Sequence, residues 1–270
     1  MCLILFASGA HPRYPLIVAA NRDEAYARPS ASAAFWDDHP HVYGGRDLER
    51  GGTWLAISRT GRFAAITNYR QGGGRRDAEH SRGELTRDYL TGSNPSPADY
   101  LRRVEARSGG YNGYSLLVGT PGELWFHSNR GAAAQRVPAG VHGLSNHLLD
   151  EPWPKVLRGV AELTSLLDAD EDALSSRLMG LLADRASAPD HLLPSTGIAL
   201  ERERALSASF IQGDTYGTRA STVVLVAADG ETLFRERTYG AAGAVLGETT
   251  ERFGIETRLS RAPAPPRARA

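Results

Sequence analysis

The sequence holds one cysteine, and it stands at position 2. A small residue after the initiator methionine favours removal of Met1, which would leave Cys2 with a free α-amino group. Such an amine titrates at about 7.7 to 8.0 and can take the proton of its own side chain's thiol at neutral pH. One residue then supplies both nucleophile and base. The same position also fits a buried cysteine opening a core strand, because free cysteines are among the most buried residues. Position alone leaves both readings open.

Four polar clusters could serve such a thiol. Asn21-Arg22-Asp23-Glu24 follows the apolar run Leu16 to Ala20. A carboxylate there could hold the α-ammonium, and an arginine could favour a thiolate and depress the thiol pKa below its free value of about 8.5. An Arg-Asp pair in a turn is also an ordinary structural device. Asn68-Tyr69-Arg70 and Leu144-Ser145-Asn146 each end an apolar stretch, where an Asn amide suits an oxyanion donor or a turn. Tyr216-Gly217-Thr218-Arg219 presents an arginine at a strand mouth.

These groups must be placed by strands. Cys2 to Phe6 and Leu16 to Ala20 are continuous apolar runs of strand length, which predicts two strands covered on both faces. Thr53 to Ser58 and Phe63 to Thr67 flank Arg59-Thr60-Gly61-Arg62. Tyr114 to Val118 and Glu123 to His127 flank Pro121-Gly122, and Ser221 to Ala227 and Glu231 to Thr238 flank Asp229-Gly230. Three hairpins predict antiparallel sheets. Ser96 before Pro97 caps a helix carrying Leu101 and Val104. Val156, Val160, Leu163 and Leu167 recur at the helical period, as do Leu174, Leu178, Leu181 and Leu182, so two further helices should cover one sheet face. Hairpin runs with inserted helices and no βαβ alternation predict an α+β layered sandwich. Residues 1–258 read as a single domain and 259–270 as a disordered tail; residues 71–79, with three consecutive glycines, read as mobile.

Composition removes several classes of function. The chain has 270 residues, with 31 Lys and Arg against 31 Asp and Glu, so it lacks the excess positive charge of a general nucleic-acid or anionic-membrane binder. Its first apolar run is too short for a membrane span or a signal core, so no stable membrane insertion and a cytoplasmic location are expected. One cysteine excludes an internal disulfide and a thiolate-rich metal site. His39, His41, His142 and His147 lack metal-ligand spacing, and no metal site is expected. The arginines between Arg70 and Arg76 lack the stacking aromatics of an RNA-binding element beyond Tyr69.

In order, Cys2, Ala20-Asn21-Arg22-Asp23-Glu24, Gly51-Gly52-Thr53-Trp54, Thr67-Asn68-Tyr69-Arg70, Ser81-Arg82-Gly83, Leu144-Ser145-Asn146, Pro152-Trp153-Pro154-Lys155 and Tyr216-Gly217-Thr218-Arg219 resemble the NRDE family, also named for transport and Golgi organisation. The resemblance covers about residues 1–238 and implies an N-terminal nucleophile hydrolase-like fold, a four-layer αββα sandwich of two antiparallel sheets. It further implies Cys2 as nucleophile, Asp23 as partner of its α-amine, Asn146 as oxyanion donor and Arg219 as a charge partner. Asn21, Trp54, Asn68, Tyr69, Arg70 and Trp153 become candidate ligand contacts. In the related choloylglycine hydrolases the arginine and aspartate are separated, whereas Arg22 and Asp23 are adjacent here. Either the chain leaves strand geometry at Asn21, or Arg22 serves structure.

Two functions are therefore expected. The first is a cysteine hydrolase cleaving the C–N or C–S bond of a small, partly apolar acyl amide or acyl thioester, with no cofactor required. The second is a non-catalytic carrier of haem, lipid or acyl-CoA in the same pocket. The sequence sets no oligomeric state.

Overall fold

The computed structural model describes residues 2–72, 78–93 and 96–256. Part of the segment read as mobile, residues 73–77, and the whole tail from 257 lie outside the described residues.

The chain opens with β1 (Cys2–Ser8) and β2 (Leu16–Ala25), paired antiparallel in one sheet. It then crosses to a second sheet and runs through β3 (Ser30–Phe35), β4 (Val42–Asp47), β5 (Leu55–Ser58) and β6 (Phe63–Asn68). Helices α1 (Arg82–Thr91) and α2 (Pro97–Ala106) follow. The second sheet is completed by β7 (Tyr114–Thr120), β8 (Glu123–Ser128) and the short β9 (Gln135–Arg136). The chain returns to the first sheet with β10 (Gly140–Leu144), covers it with α3 (Pro154–Ser165) and α4 (Glu171–Leu182), and passes α5 (Leu200–Ala205). It ends on β11 (Tyr216–Val226), β12 (Glu231–Tyr239) and β13 (Val245–Gly254). The strand orders are β10-β1-β2-β11-β12-β13 and β3 through β9 in sequence, and every strand pairing within the two sheets is antiparallel.

Period-two alternation divides the apolar residues among three cores. Ile4, Phe6, Val18 and Val224 face the second sheet's Leu55, Ile57, Phe63 and Leu117. Their neighbours Leu3, Leu5, Ile17 and Val223 turn outward onto Leu163, Leu174 and Leu178 of α3 and α4. On the far side, Ala64, Leu116 and Val118 meet Leu85 and Leu101 of α1 and α2. Three cores separate four layers, and the expected αββα sandwich is the one observed. The helix face chosen by Val156 and Leu163 packs so closely that a Cβ on Gly159 would stand 2.4 Å from Leu5.

Candidate functional site

Strand β2 does not end at Asn21. Its ladder with β11 continues to Ala25, so alternation sends Arg22 to one face and Asp23 to the other. Cys2 lies directly opposite Arg22 in the β1–β2 register. Both follow the parity of Ile4 and Val18 and so face the second sheet, whereas Asn21 and Asp23 face the helices. The chain thus keeps strand geometry, and Arg22 is brought to the thiol by register.

At this end the sheets part around a cleft of about 1200 Å³, bordered by Cys2, Arg22 and Asp23 from the first sheet and by Trp54, Asn68, Tyr69 and Arg70 from the second. The glycine motifs shape its wall. A Cβ on Gly52 would stand 2.4 Å from the Gly83 carbonyl carbon, so the chain before Trp54 touches the start of α1 backbone to backbone. The Thr53 N–H donates to the Gly83 carbonyl at 3.1 Å.

Burial governs the reactive groups. Cys2 is 7% exposed, and desolvation pushes its thiol above the ordinary value although the Arg22 charge pulls the other way. The expected depression by a neighbouring cation is therefore outweighed. Asp23 is 1% exposed; burial raises its pKa against the opposing charge of Lys155, while its Oδ1 accepts from the Thr218 hydroxyl at 2.7 Å.

The other candidates fall into two groups. Asn146 is buried and does not border the cleft, whereas its neighbour Ser145 donates to the Cys2 carbonyl at 3.2 Å. Asn146 takes a positive φ of 55°, its Nδ2 donates to the Asn68 carbonyl at 3.0 Å, and its own carbonyl accepts from the Arg70 N–H at 2.7 Å. It thereby clamps the end of β6 to the end of β10. Arg219 borders the cleft, but its guanidinium is turned to the turn after β2, donating to the carbonyls of Ala25, Tyr26 and Arg28 and to the Ser30 hydroxyl. Asn21 is wholly buried away from the cleft, with Nδ2 on the Leu182 and Ser209 carbonyls and Oδ1 accepting from Ser221. It ties β2 to α4 and β11. Trp153 does not border the cleft; it lies beneath Arg70, whose guanidinium stands 4.6 Å from the ring and pairs with the buried Glu203 at 2.7 Å. Tyr69 bonds His147 at 2.6 Å, and His147 in turn bonds Glu151 at 2.8 Å.

Lys155 escaped the reading by role, although it stands in the Pro-Trp-Pro-Lys motif. It occupies the first turn of α3, is 1% exposed, and its Nζ has no hydrogen-bond partner among the described residues. Burial lowers its pKa to about 8, with Asp23 and Cys2 opposing. Composition carried a signal for it that pooling the cations hides: among 31 Lys and Arg, it is the sole lysine.

No helix among the described residues is long and apolar enough to cross a membrane. Among solved structures, the chain is similar to a Caenorhabditis elegans N-acylethanolamine-hydrolyzing acid amidase ortholog, at 11% identity and TM-score 0.47 over 83% of this chain and 92% of that one. It is also similar to the C2A mutant of a conjugated bile acid hydrolase from Clostridium perfringens, at 8% identity and TM-score 0.47 over 94% and 92% of the two chains. The Transport and Golgi organization protein 2 homolog of Bos taurus is 38% identical, over 93% of this chain and 97% of the bovine one. The Mus musculus homolog is 35% identical over 95% and 98%, and the Drosophila melanogaster protein 33% over 88% and 92%. The model of the family Transport and Golgi organisation 2 matches residues 1–241, and the chain belongs to that family.

Proposed function

We propose that the protein is a cysteine hydrolase acting on a linear acyl amide or acyl thioester, with Cys2 as N-terminal nucleophile after removal of Met1. The observation that carries this reading is the meeting, at one cleft edge, of the chain's single thiol, its register partner Arg22 and the next residue, Asp23. The freed α-amine takes the thiol proton, and Sγ attacks the acyl carbonyl. Asp23, buried behind the strand end, compensates the resulting α-ammonium. Arg22 supplies positive charge where the oxyanion develops, with the Asn146 amide as the candidate donor. Collapse breaks the C–N or C–S bond, the leaving group takes the proton from the α-ammonium, and water attacks the acyl-thioester by the reverse route.

Trp54 and Tyr69 offer apolar surface to the acyl part, and the arginine-bearing rim suits a polar or anionic remainder. A carrier of haem, lipid or acyl-CoA is the second reading, favoured by one observation: burial raises the thiol pKa and so disfavours the thiolate. Parallel assays of wild type and Cys2→Ala separate the two. Cleavage of a panel of acyl amides and thioesters by wild type alone is the result expected. Cleavage that survives in Cys2→Ala, or no cleavage with equal haem affinity in both proteins, would remove Cys2 from catalysis.

A further inference from the structure

His142 has no part in the reaction just written, yet both of its ring nitrogens are committed. Nδ1 meets Asp150 Oδ2 at 2.7 Å, and Nε2 meets the Pro138 carbonyl at 3.0 Å. A carboxylate and a carbonyl can only accept, whereas a neutral imidazole carries one N–H. The imidazolium alone serves both partners. The residue is 8% exposed, so water has little room to replace a bond that the neutral ring cannot make. Asp150 is the charged group that faces the ring, and Phe6 of β1 lies against it with ring centroids 5.3 Å apart. The Asp150 hydrogen bond leads in raising the His142 pKa above its ordinary value, against burial.

The same carboxylate closes the neck of a hairpin that reaches the site. Asp150 Oδ1 accepts from the Gly143 N–H at 2.9 Å, the Asp150 N–H donates to the Gly143 carbonyl at 2.8 Å, and Leu144 bridges to Leu149. Asp150 holds a φ of 57°, a left-handed conformation that a residue with a side chain keeps where its contacts impose it. Beyond the neck, the tip makes the contacts. Ser145 donates to the Cys2 carbonyl, Asn146 bonds the backbone of Asn68 and Arg70, and His147 bonds the Tyr69 hydroxyl. Asn68, Tyr69 and Arg70 border the cleft. One titratable ring therefore sits at the base of the loop that braces the cleft wall.

We propose that His142 and Asp150 form a proton-operated latch that sets how firmly the 143–150 hairpin braces the cleft. While the ring is charged, both bonds hold, the neck stays closed and the tip is seated. When pH rises, one N–H bond of the ring breaks, its electron pair stays on nitrogen and the proton passes to solvent. One of the two acceptors then lacks a donor, and the neck opens more often. Stability from the latch is thus complete below the ordinary histidine value of about 6.5 and is lost as pH rises through the higher folded midpoint. No reaction at Cys2 is assumed.

Two measurements on the whole protein test the latch. In ¹⁵N spectra, with the His142 ring signals assigned through their own backbone, the ring should titrate about one unit above the ordinary histidine value. Asp150→Asn, which keeps an acceptor for the Gly143 N–H, should bring that midpoint down to about 6.5 or below. Hydrogen exchange of peptides covering residues 143–150, corrected for the intrinsic effect of pH, should show opening about tenfold more frequent at pH 8.5 than at pH 5.5, because one unit of midpoint shift is a tenfold change in the closing equilibrium. In Asp150→Asn the loop should open more often and without that rise. His147 lies in the same loop between Tyr69 and Glu151, so exchange is repeated in His147→Gln, where the rise should persist. A wild-type His142 midpoint at or below about 6.5, or loop opening that does not change with pH, would overturn the proposal. So would a rise that vanishes in His147→Gln but persists in Asp150→Asn. If the variants do not fold, the wild-type midpoint and whether loop opening follows it decide alone.

Discussion

The helix-covered face of the first sheet carries a polar cluster at each end of β2, and the two are built on opposite principles. At the start of the strand, Tyr14 donates to Glu171 at 2.6 Å, and Arg13 and Arg252 close on the same carboxylate at 3.2 and 2.6 Å. Solvent reaches the arginines, whose side chains are 62% and 52% exposed. The Tyr14 hydrogen bond leads in holding Glu171 below its usual range, while burial first, and then Glu171, push the Tyr14 phenol up to about 12. Every charge there is compensated. At the other end, Asp23 and Lys155 are each pushed by burial toward their neutral forms, as is Cys2 on the opposite face of the strand end. A cluster whose charges are satisfied adds modest stability; one whose charges are suppressed keeps protons ready to move.

Substitutions should separate the two ends by size of effect. The largest is expected at Asn146. Asn146→Gly keeps the positive φ but deletes the amide, so turnover should fall about 10² to 10³-fold if it serves the oxyanion. Loss of the clamp to Asn68 should cost about 1 kcal/mol in a denaturant titration. A variant with normal turnover would assign Asn146 to the clamp alone. Next, Asp23→Ala removes the carboxylate from a buried charge cluster and should destabilise by about 3 kcal/mol, measured the same way. A loss below about 1 kcal/mol would show that Lys155 carries no charge in the folded protein.

The Lys155 pKa gives a smaller effect with a definite sign. Its folded value is lowered to about 8 from 10.5, so between those pH values the unfolded chain holds a proton that the folded chain has released. Stability of wild type relative to Lys155→Met should therefore rise with pH in that window, by about 1.4 kcal/mol per unit at most, and level off above it. Paired denaturant titrations from pH 7.5 to 10 check this; a flat difference would mean the amine is not held neutral. The smallest effect belongs to the compensated end. Tyr14→Phe should cost about 1 kcal/mol and leave Cys2 alkylation unchanged.

How far the sequence could be read differs between these regions for physical reasons. The hairpins were legible because Gly122 and Gly230 occupy positions of positive φ, 84° and 93°, flanked by apolar runs. The polar stretch from Asn21 was not legible as strand, because side-chain pattern cannot report a ladder held by backbone bonds to a partner almost 200 residues away, as in Thr218↔Asp23. Strand β13 went unread because nearly all its residues are exposed or half-exposed at a sheet edge. Helix α1, rich in charge, lacks a clean apolar stripe and is recognised only by what Leu85 and Tyr89 bury. At the candidate site, the grouping of Cys2, Arg22 and Asp23 at one strand end was legible by type and order. That Asn21 would serve structure depended on contacts with Leu182 and Ser209, far along the chain.

The most direct test of a nucleophilic Cys2 is intact mass after brief exposure to an activated acyl thioester, with peptide mapping of the adduct. One added acyl group is expected, on an N-terminal peptide that begins at Cys2, formed in wild type and absent from Cys2→Ala. A stable acyl adduct on any other residue, or equal acylation of protein that retains Met1 and of protein that lacks it, would contradict an N-terminal nucleophile that uses its own α-amine.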